Sequence, residues 1–310
     1  MIVGVDIGGT KVLAGEVTAD GEVRRTALRV TPGRRVPAQL VEDALTEAVM
    51  ELADGELEAV GLAAAGFVDV TRTQVLFAPH LPWHREDVVA RLSQRWGVPV
   101  IMDNDANCTA LAEARYGAAR GASSTVLVTL GTGIGGALLL AGELWRGAGG
   151  MAGEFGHQQV VPGGLPCQCG RSGCWEQYCS GNALVRHARA RLGASPVLAA
   201  ACGGDPGALT GPMVTEAATQ GDPVSLAAFR SVGDWLGVGL ANLVASFDPA
   251  LLVVGGGVSV AGRLLLDPAR AALARSLVGA EDRVVPSVVP AELGPRAGLV
   301  GAALLARGLV

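Results

Sequence analysis

Lysine is all but missing from this chain. Of its 24 basic residues 23 are arginine, and Lys11 is the single lysine in 310 residues. Aromatic residues are scarce at 4%, so Ala, Val and Leu must fill most of the interior. There is no excess of positive charge either. A formal net charge of −5 gives nucleic acid or an anionic membrane no electrostatic footing. No apolar run reaches membrane-spanning length without a charge or a turn residue. No basic, cleavable leader is visible before the strand-like IVGVDIGG, which leads us to expect the cytoplasm. In that reducing setting, clustered cysteines more often hold metal than pair as disulfides.

What the chain does have is length for one large or two medium domains, 50% hydrophobic residues and 45 glycines for tight turns. Apolar strands alternate with helical patterns. MIVGVDIG and VLAGEV read as a hairpin, and PAQLVEDALTEAVMELA reads as a helix with Pro37 near its start. LEAVGLAAAG and VPVIMD read as strands, and DANCTALAEARYG as a helix closing at Gly117. TVLVTLGTGIGGALLL at 125–140 repeats the opening strand, Gly/Thr turn and strand, which predicts two similar lobes. A third strand and turn, ALLVVGGGVS at 250–259, follows a long helical stretch at 223–247. The pattern as a whole predicts two α/β lobes with a cleft between them.

Three glycine turns are suited to phosphate. In DIGGTK, Gly8 and Gly9 let backbone N–H groups approach an anion, Thr10 offers a hydroxyl, and Lys11 offers a mobile charge. Asp6 can hold Mg²⁺ through water. Thr132 and Gly133 in LGTGIGG form a second turn, and Gly255, Gly256 and Gly257 a third. Neither DIGGTK nor LGTGIGG is a GxxxxGK[ST] loop, and each leads into a strand rather than a helix. The lone lysine falls within DIGGTK, a chance of roughly 6 in 310 if positions are equivalent.

IMDNDANC sets Asp103, Asn104 and Asp105 where a strand gives way to a helix. An aspartate there can cap the helix beginning near Ala106, or accept the proton of an alcohol attacking a phosphoryl group. Capping weighs towards Asp103, and the acceptor role towards Asp105. Downstream, EFGHQQVVPGGLPCQCGRSGCWEQ at 154–177 carries His157, Cys167, Cys169 and Cys174, a suitable set for tetrahedral Zn²⁺. Cys179 is a rival fourth ligand that would free His157. With four protein ligands the metal has no open position and is expected to be structural. It would stiffen a loop flanked by Glu154 and Glu176.

DIGGTK, LGTGIGG and VVGGG, in that order, resemble the sugar kinases of the actin-like ATPase superfamily. With EFGH and CQCGRSGCWE, the chain resembles the ROK family, nearest its bacterial ATP-dependent glucokinases, from residue 2 to about residue 305. The resemblance implies a two-lobed actin-like ATPase (ribonuclease H-like) fold. One lobe would comprise 1–117 completed by a helix at 297–310, and the other 118–296 with a zinc-binding loop at 157–174. It implies Mg²⁺-ATP as donor, glucose as acceptor at its 6-hydroxyl, and Asp105 as general base. It assigns Gly66, Asn104, Asp105, Glu154, His157 and Glu176 to the sugar, and favours His157 as the fourth metal ligand. The nucleotide would meet the three glycine turns. A homodimer or homotetramer is expected.

The sequence departs from the family pattern in two places: Ala65 stands where the family often has proline, and His80 where related glucokinases often have asparagine. The rival readings are a kinase of another hexose or of an N-acetylhexosamine, and a non-catalytic sugar-responsive regulator. The regulators carry a helix-turn-helix segment ahead of the kinase-like body, whereas here the first strand starts at Ile2. Loss of the metal is expected to cost sugar binding first, while the glycine turns, taken as distant, keep ATP.

Overall fold

A computed structural model of the chain describes residues 1–310. In chain order the elements begin with β1 (Ile2–Ile7), β2 (Lys11–Val17), β3 (Val23–Val30), α1 (Ala38–Leu52) and β4 (Ala59–Ala64). Then come β5 (Phe67–Val68), β6 (Val75–Phe77), α2 (Val88–Trp96), β7 (Val100–Asn104) and α3 (Asp105–Tyr116). The second half opens with β8 (Ser124–Leu130), β9 (Ile134–Leu140) and β10 (Glu143–Leu144), followed by helices α4 (Gly181–Arg189), α5 (Pro196–Ala201), α6 (Gly211–Thr219) and α7 (Pro223–Phe247). It closes with β11 (Leu251–Gly255), α8 (Arg263–Ser276), β12 (Ser287–Pro290) and α9 (Ala297–Arg307).

Two five-stranded sheets carry the mixed α/β architecture, ordered β3-β2-β1-β4-β7 and β10-β9-β8-β11-β12. Numbered within each sheet, both read 3-2-1-4-5, the structural form of the repeat seen in the sequence. In the first sheet β1 pairs antiparallel with β2 and parallel with β4, and β4 pairs parallel with β7. In the second, β11 lies parallel to both β8 and β12. Strands β1, β4 and β11 are apolar almost throughout, as parallel strands covered on both faces must be. The chain divides into two compact units. The first is Met1–Ser123 with Ala137–Gly153 and Ala291–Val310; the second is Ser124–Gly136 with Glu154–Pro290.

Local chemistry sets most boundaries. Asp87 caps α2 by accepting the Ala90 N–H, and Gly97 ends that helix in the left-handed region at φ 69°. Asp222 caps α7, accepting the Ser225 N–H at 2.8 Å and the hydroxyls of Ser225 and Ser195 at 2.7 and 2.6 Å. In the strand and turn expected over 250–259, the strand ends at Gly255. Gly256 turns at φ 83°, and a Cβ there would lie 2.4 Å from the Leu130 carbonyl oxygen, so the chain leaves the sheet and winds as a 3₁₀ turn over Gly257–Ala261. Strand β3 has no counterpart in the sequence reading. Its VRRTALRV is charged and half exposed on the sheet edge, which hides the apolar alternation.

Helix α9 touches the first sheet backbone to backbone. A Cβ at Gly4 of β1 would lie 1.9 Å from the Leu299 carbonyl oxygen, and one at Gly61 of β4 would lie 1.8 Å from that of Ala302. No side-chain rotation relieves such a clash. Gly61→Ala is expected to cost about 3 kcal/mol or more of stability, as overpacking against backbone does. Gly55→Ala, in open surroundings, should be near neutral. Thermal unfolding of the two variants beside the parent checks this.

Candidate active site

In the first unit, β7 runs straight into α3 and delivers Asp103, Asn104 and Asp105. The helix cap is Asn104, not either aspartate: its Oδ1 accepts the N–H groups of Ala106 and Asn107 at 2.9 and 3.2 Å. Its Nδ2 donates to the Gly66 carbonyl oxygen at 3.1 Å, tying the turn after β4 to the start of α3. Asp103 is turned away from capping. Its Oδ1 accepts the Asn104 N–H and the Asn107 side-chain amide, both at 2.8 Å, and its Oδ2 receives Arg146. Asp105 spends one oxygen on the Ala106 N–H at 2.9 Å. Burial pushes its carboxyl above the usual aspartate range, against the pull of that N–H. Asp6, at the end of β1, is pushed up to about 7, mainly by burial and then by the Asp105 charge; Lys11 opposes both.

The DIGGTK turn is held by its own backbone and by Thr31. The Gly8 N–H donates to the Lys11 carbonyl at 3.0 Å, the Thr31 hydroxyl to the Gly8 carbonyl at 2.8 Å, and the Thr31 N–H to the Thr10 carbonyl at 3.1 Å. Thr10 and Lys11 are exposed. Gly9 is bare for a reason the sequence did not give: a Cβ there would lie 2.6 Å from Cβ of His80. The residue that departs from the family pattern therefore packs on this turn. Gly66 similarly gives room to its own unit, since a Cβ would meet the Phe77 carbonyl oxygen at 2.8 Å.

In the second unit, Gly131–Gly133 joins β8 to β9, closed by the Gly131 N–H to the Gly133 carbonyl at 3.0 Å. The Gly131 carbonyl also accepts the Gly181 N–H at the head of α4, at 2.8 Å. Thr132 is exposed on this turn, and Gly257 faces open space. Trp175 is buried and anchors the cysteine loop: its Nε1 donates to the Trp235 carbonyl at 2.8 Å, and its ring fills the place of a side chain at Gly239 of α7. Tyr178 packs tilted against Trp235 with centroids 4.8 Å apart, and its hydroxyl receives the Leu165 N–H at 2.8 Å.

Within that loop one ligand atom each from His157, Cys167, Cys169 and Cys174 lies within 4.8 Å of every other. Cys169 Sγ is 3.6 Å from Cys174 Sγ, and Cys167 Sγ is 3.7 Å from His157 Nδ1. A tetrahedron with sulfur arms of about 2.3 Å has edges of about 3.8 Å, so the set fits a structural metal. Cys179 is buried and stands outside the group. His157 turns Nδ1 towards the thiols and Nε2 towards Glu154 Oε2, at 3.9 Å.

Glu176 links this cluster to the second glycine turn. Oε1 lies 3.1 Å from Cys167 Sγ and 3.7 Å from His157 Nδ1, while Oε2 accepts the Ile134 N–H at 3.4 Å. A Cβ on Gly133 would be 2.3 Å from Oε2. The expectation that the glycine turns are distant from the metal loop is therefore corrected for Gly131–Gly133. No spacing rule pairs residues 133 and 176, so sequence alone gave no sign of it.

The ROK family signature matches residues 2–308. A glucokinase of Streptomyces coelicolor is 43% identical over 316 residues, spanning 99% of this chain and 98% of its own length. The crystal structure of a ROK family glucokinase from Streptomyces griseus, in complex with glucose and AMPPNP, has a TM-score of 0.92 at 47% identity, with 99% of each chain covered. The ROK hexokinase from Thermus thermophilus has a TM-score of 0.77 at 33% identity, covering 99% of this chain and 98% of its own.

Elemental analysis is expected to find about one metal ion per chain in the parent protein and in Cys179→Ser, and under about a tenth of that in Cys169→Ser, because an incomplete shell binds weakly.

Proposed function

This chain belongs to the ROK family, and we propose that it is a glucokinase, moving the γ-phosphoryl group of ATP to the 6-hydroxyl of glucose. Its sheets form the two-lobed actin-like ATPase fold of that family. The observation that carries the reading is the whole-chain likeness to a glucokinase crystallised with glucose and AMPPNP, the latter standing in for ATP.

Asp105 is the proposed general base. Its second oxygen accepts the proton of the glucose 6-hydroxyl as that oxygen forms its bond to the γ-phosphorus and the bond to the ADP oxygen breaks. A carboxyl raised by burial is a stronger base near neutral pH than an ordinary aspartate. Asn104, Gly66, Glu154, His157 and Glu176 are proposed to contact the sugar. A sugar presents hydroxyl donors, and the three glutamate and aspartate side chains are acceptors once ionised.

For the nucleotide we propose the turn Gly8, Gly9, Thr10 and Lys11, with Thr132, Gly133 and Gly255–Gly257. Asp6 is proposed to hold Mg²⁺: a buried carboxylate beside a second one is relieved by a divalent cation. When bound, that ion neutralises charge on the phosphates. The metal of the loop is proposed to be Zn²⁺, held by His157, Cys167, Cys169 and Cys174 without an open position. Its part is to fix Glu154, His157 and Glu176, not to enter the reaction. The active form is proposed to be a homodimer or homotetramer, and the setting cytoplasmic.

A coupled assay with ATP and a panel of hexoses and N-acetylhexosamines tests the reading; turnover of another sugar in preference to glucose would displace it. Asp105→Asn is expected to lower kcat by about 10²–10⁴ with glucose affinity by calorimetry nearly kept. In the parent enzyme kcat falls as the base takes up a proton. Because burial raises the Asp105 carboxyl, the acid limb of the pH profile should lie above the ordinary aspartate value of about 3.9 and vanish in Asp105→Asn. Lys11→Ala should raise KM for ATP while leaving KM for glucose near the parent value.

A further inference from the structure

Asp103 was singled out in the sequence, and neither capping nor proton transfer uses it. It is buried, at 2% exposure, and both of its oxygens are engaged. Oδ2 receives Arg146 Nε at 2.8 Å and Nη2 at 2.7 Å. Oδ1 holds the Asn104 N–H and the Asn107 amide at 2.8 Å each, so the same group braces the first turn of α3, where Asp105 sits.

Arg146 opens the segment 146–153, which hands the chain to Glu154. The segment is folded back on itself by the Ala152 N–H to the Arg146 carbonyl at 3.0 Å. Gly150, at φ 82°, lies so close to β5 that a Cβ would be 2.5 Å from the Val68 carbonyl oxygen. Glycine-rich backbone has many conformations to choose from, and its end is fixed only as well as its anchors. The guanidinium is the anchor with direction: a planar fork accepts one orientation of its partner, which a flexible ammonium does not demand. With Asp103 buried and Arg146 half-buried, the pair adds little net stability, since desolvation offsets much of the attraction. What it sets is position.

We propose that Arg146 and Asp103 are positioning residues for the sugar. Through one carboxylate they fasten the start of α3, with Asn104 and Asp105, to the segment 146–153 of the same unit, whose chain continues into Glu154. The inference rests on the glucokinase reading above. It adds a pair that touches neither the nucleotide turns nor the metal ligands and acts on the acceptor side alone.

The test uses Arg146→Lys, which keeps the charge and loses the fork, together with Asp103→Asn and the double variant. Arg146→Lys should raise KM for glucose about tenfold or more, with a matching rise in the calorimetric Kd. KM for ATP should stay within about twofold, and metal content should be unchanged. The double variant should be no worse than the poorer single one, as expected for partners in one interaction. A purely structural pair would instead lower the melting temperature with both KM values unmoved or moved together, and that outcome overturns the proposal, as do additive effects. If Asp103→Asn fails to fold, Arg146→Lys alone decides by the split between the two KM values. An inactive parent enzyme would mark failure of the glucokinase reading; an active parent with unchanged Arg146→Lys kinetics marks failure of this inference.

Discussion

The carbonyl oxygens of Leu299 and Ala302 lie where Gly4 and Gly61 would carry side chains. That contact lets the last helix settle onto the first sheet at backbone distance, and much of the first unit follows from it. Gly301 repeats the device towards α3, where a Cβ would be 1.8 Å from the Cys108 carbonyl oxygen. Helix α9 is thereby packed tightly against β1, which carries Asp6, β4, which leads to the turn at Gly66, and α3, which begins at Asp105. Gly298 on the same helix leaves just enough room beside the Asp6 carboxyl, 3.3 Å from its would-be Cβ. The chain end thus removes water from Asp6, and lost hydration is the largest cause of its raised pKa.

Four carboxylates of this unit show how surroundings divide one functional group among several tasks. Glu113 is fully buried and satisfied by backbone alone, accepting the N–H groups of Ala118, Glu292 and Leu293. It fastens two remote stretches of chain, and Gly117 must be bare to admit it. Asp103 is matched by a guanidinium. Asp6 and Asp105 have neither kind of full compensation, and burial raises the pKa of both. Incomplete satisfaction is costly for a fold and useful for proton or cation chemistry. The assignment of roles follows that division.

How much the sequence disclosed tracked how local each interaction is. The cysteine loop was legible because its ligands fall within eighteen residues and metal geometry restricts the choices. The hairpin repeat was legible because period-two apolar runs and glycine turns are local signals. Helix α3 was legible too, but its cap was not: three polar residues in a row could each serve, and it is the Asn104 side chain that reaches the Ala106 and Asn107 N–H groups. Arg146 and Asp103 are 43 positions apart, and Glu176 and Ile134 are 42 apart; nothing in either neighbourhood announces the other. The same is true of His80 against Gly9, where a motif glycine is kept bare by a residue from another loop.

The near absence of lysine has a practical side. The chain holds two primary amines, the ε-amine of Lys11 and the terminal amine of Met1. The second is engaged, donating to the Glu56 carbonyl at 2.8 Å and paired with Glu58. Lys11 stands exposed beside the first glycine turn. For acylating or carbamylating reagents the protein therefore carries a single side-chain address, set by composition and placed by fold. A fluorophore attached there would sit beside that turn without any engineering of the surface.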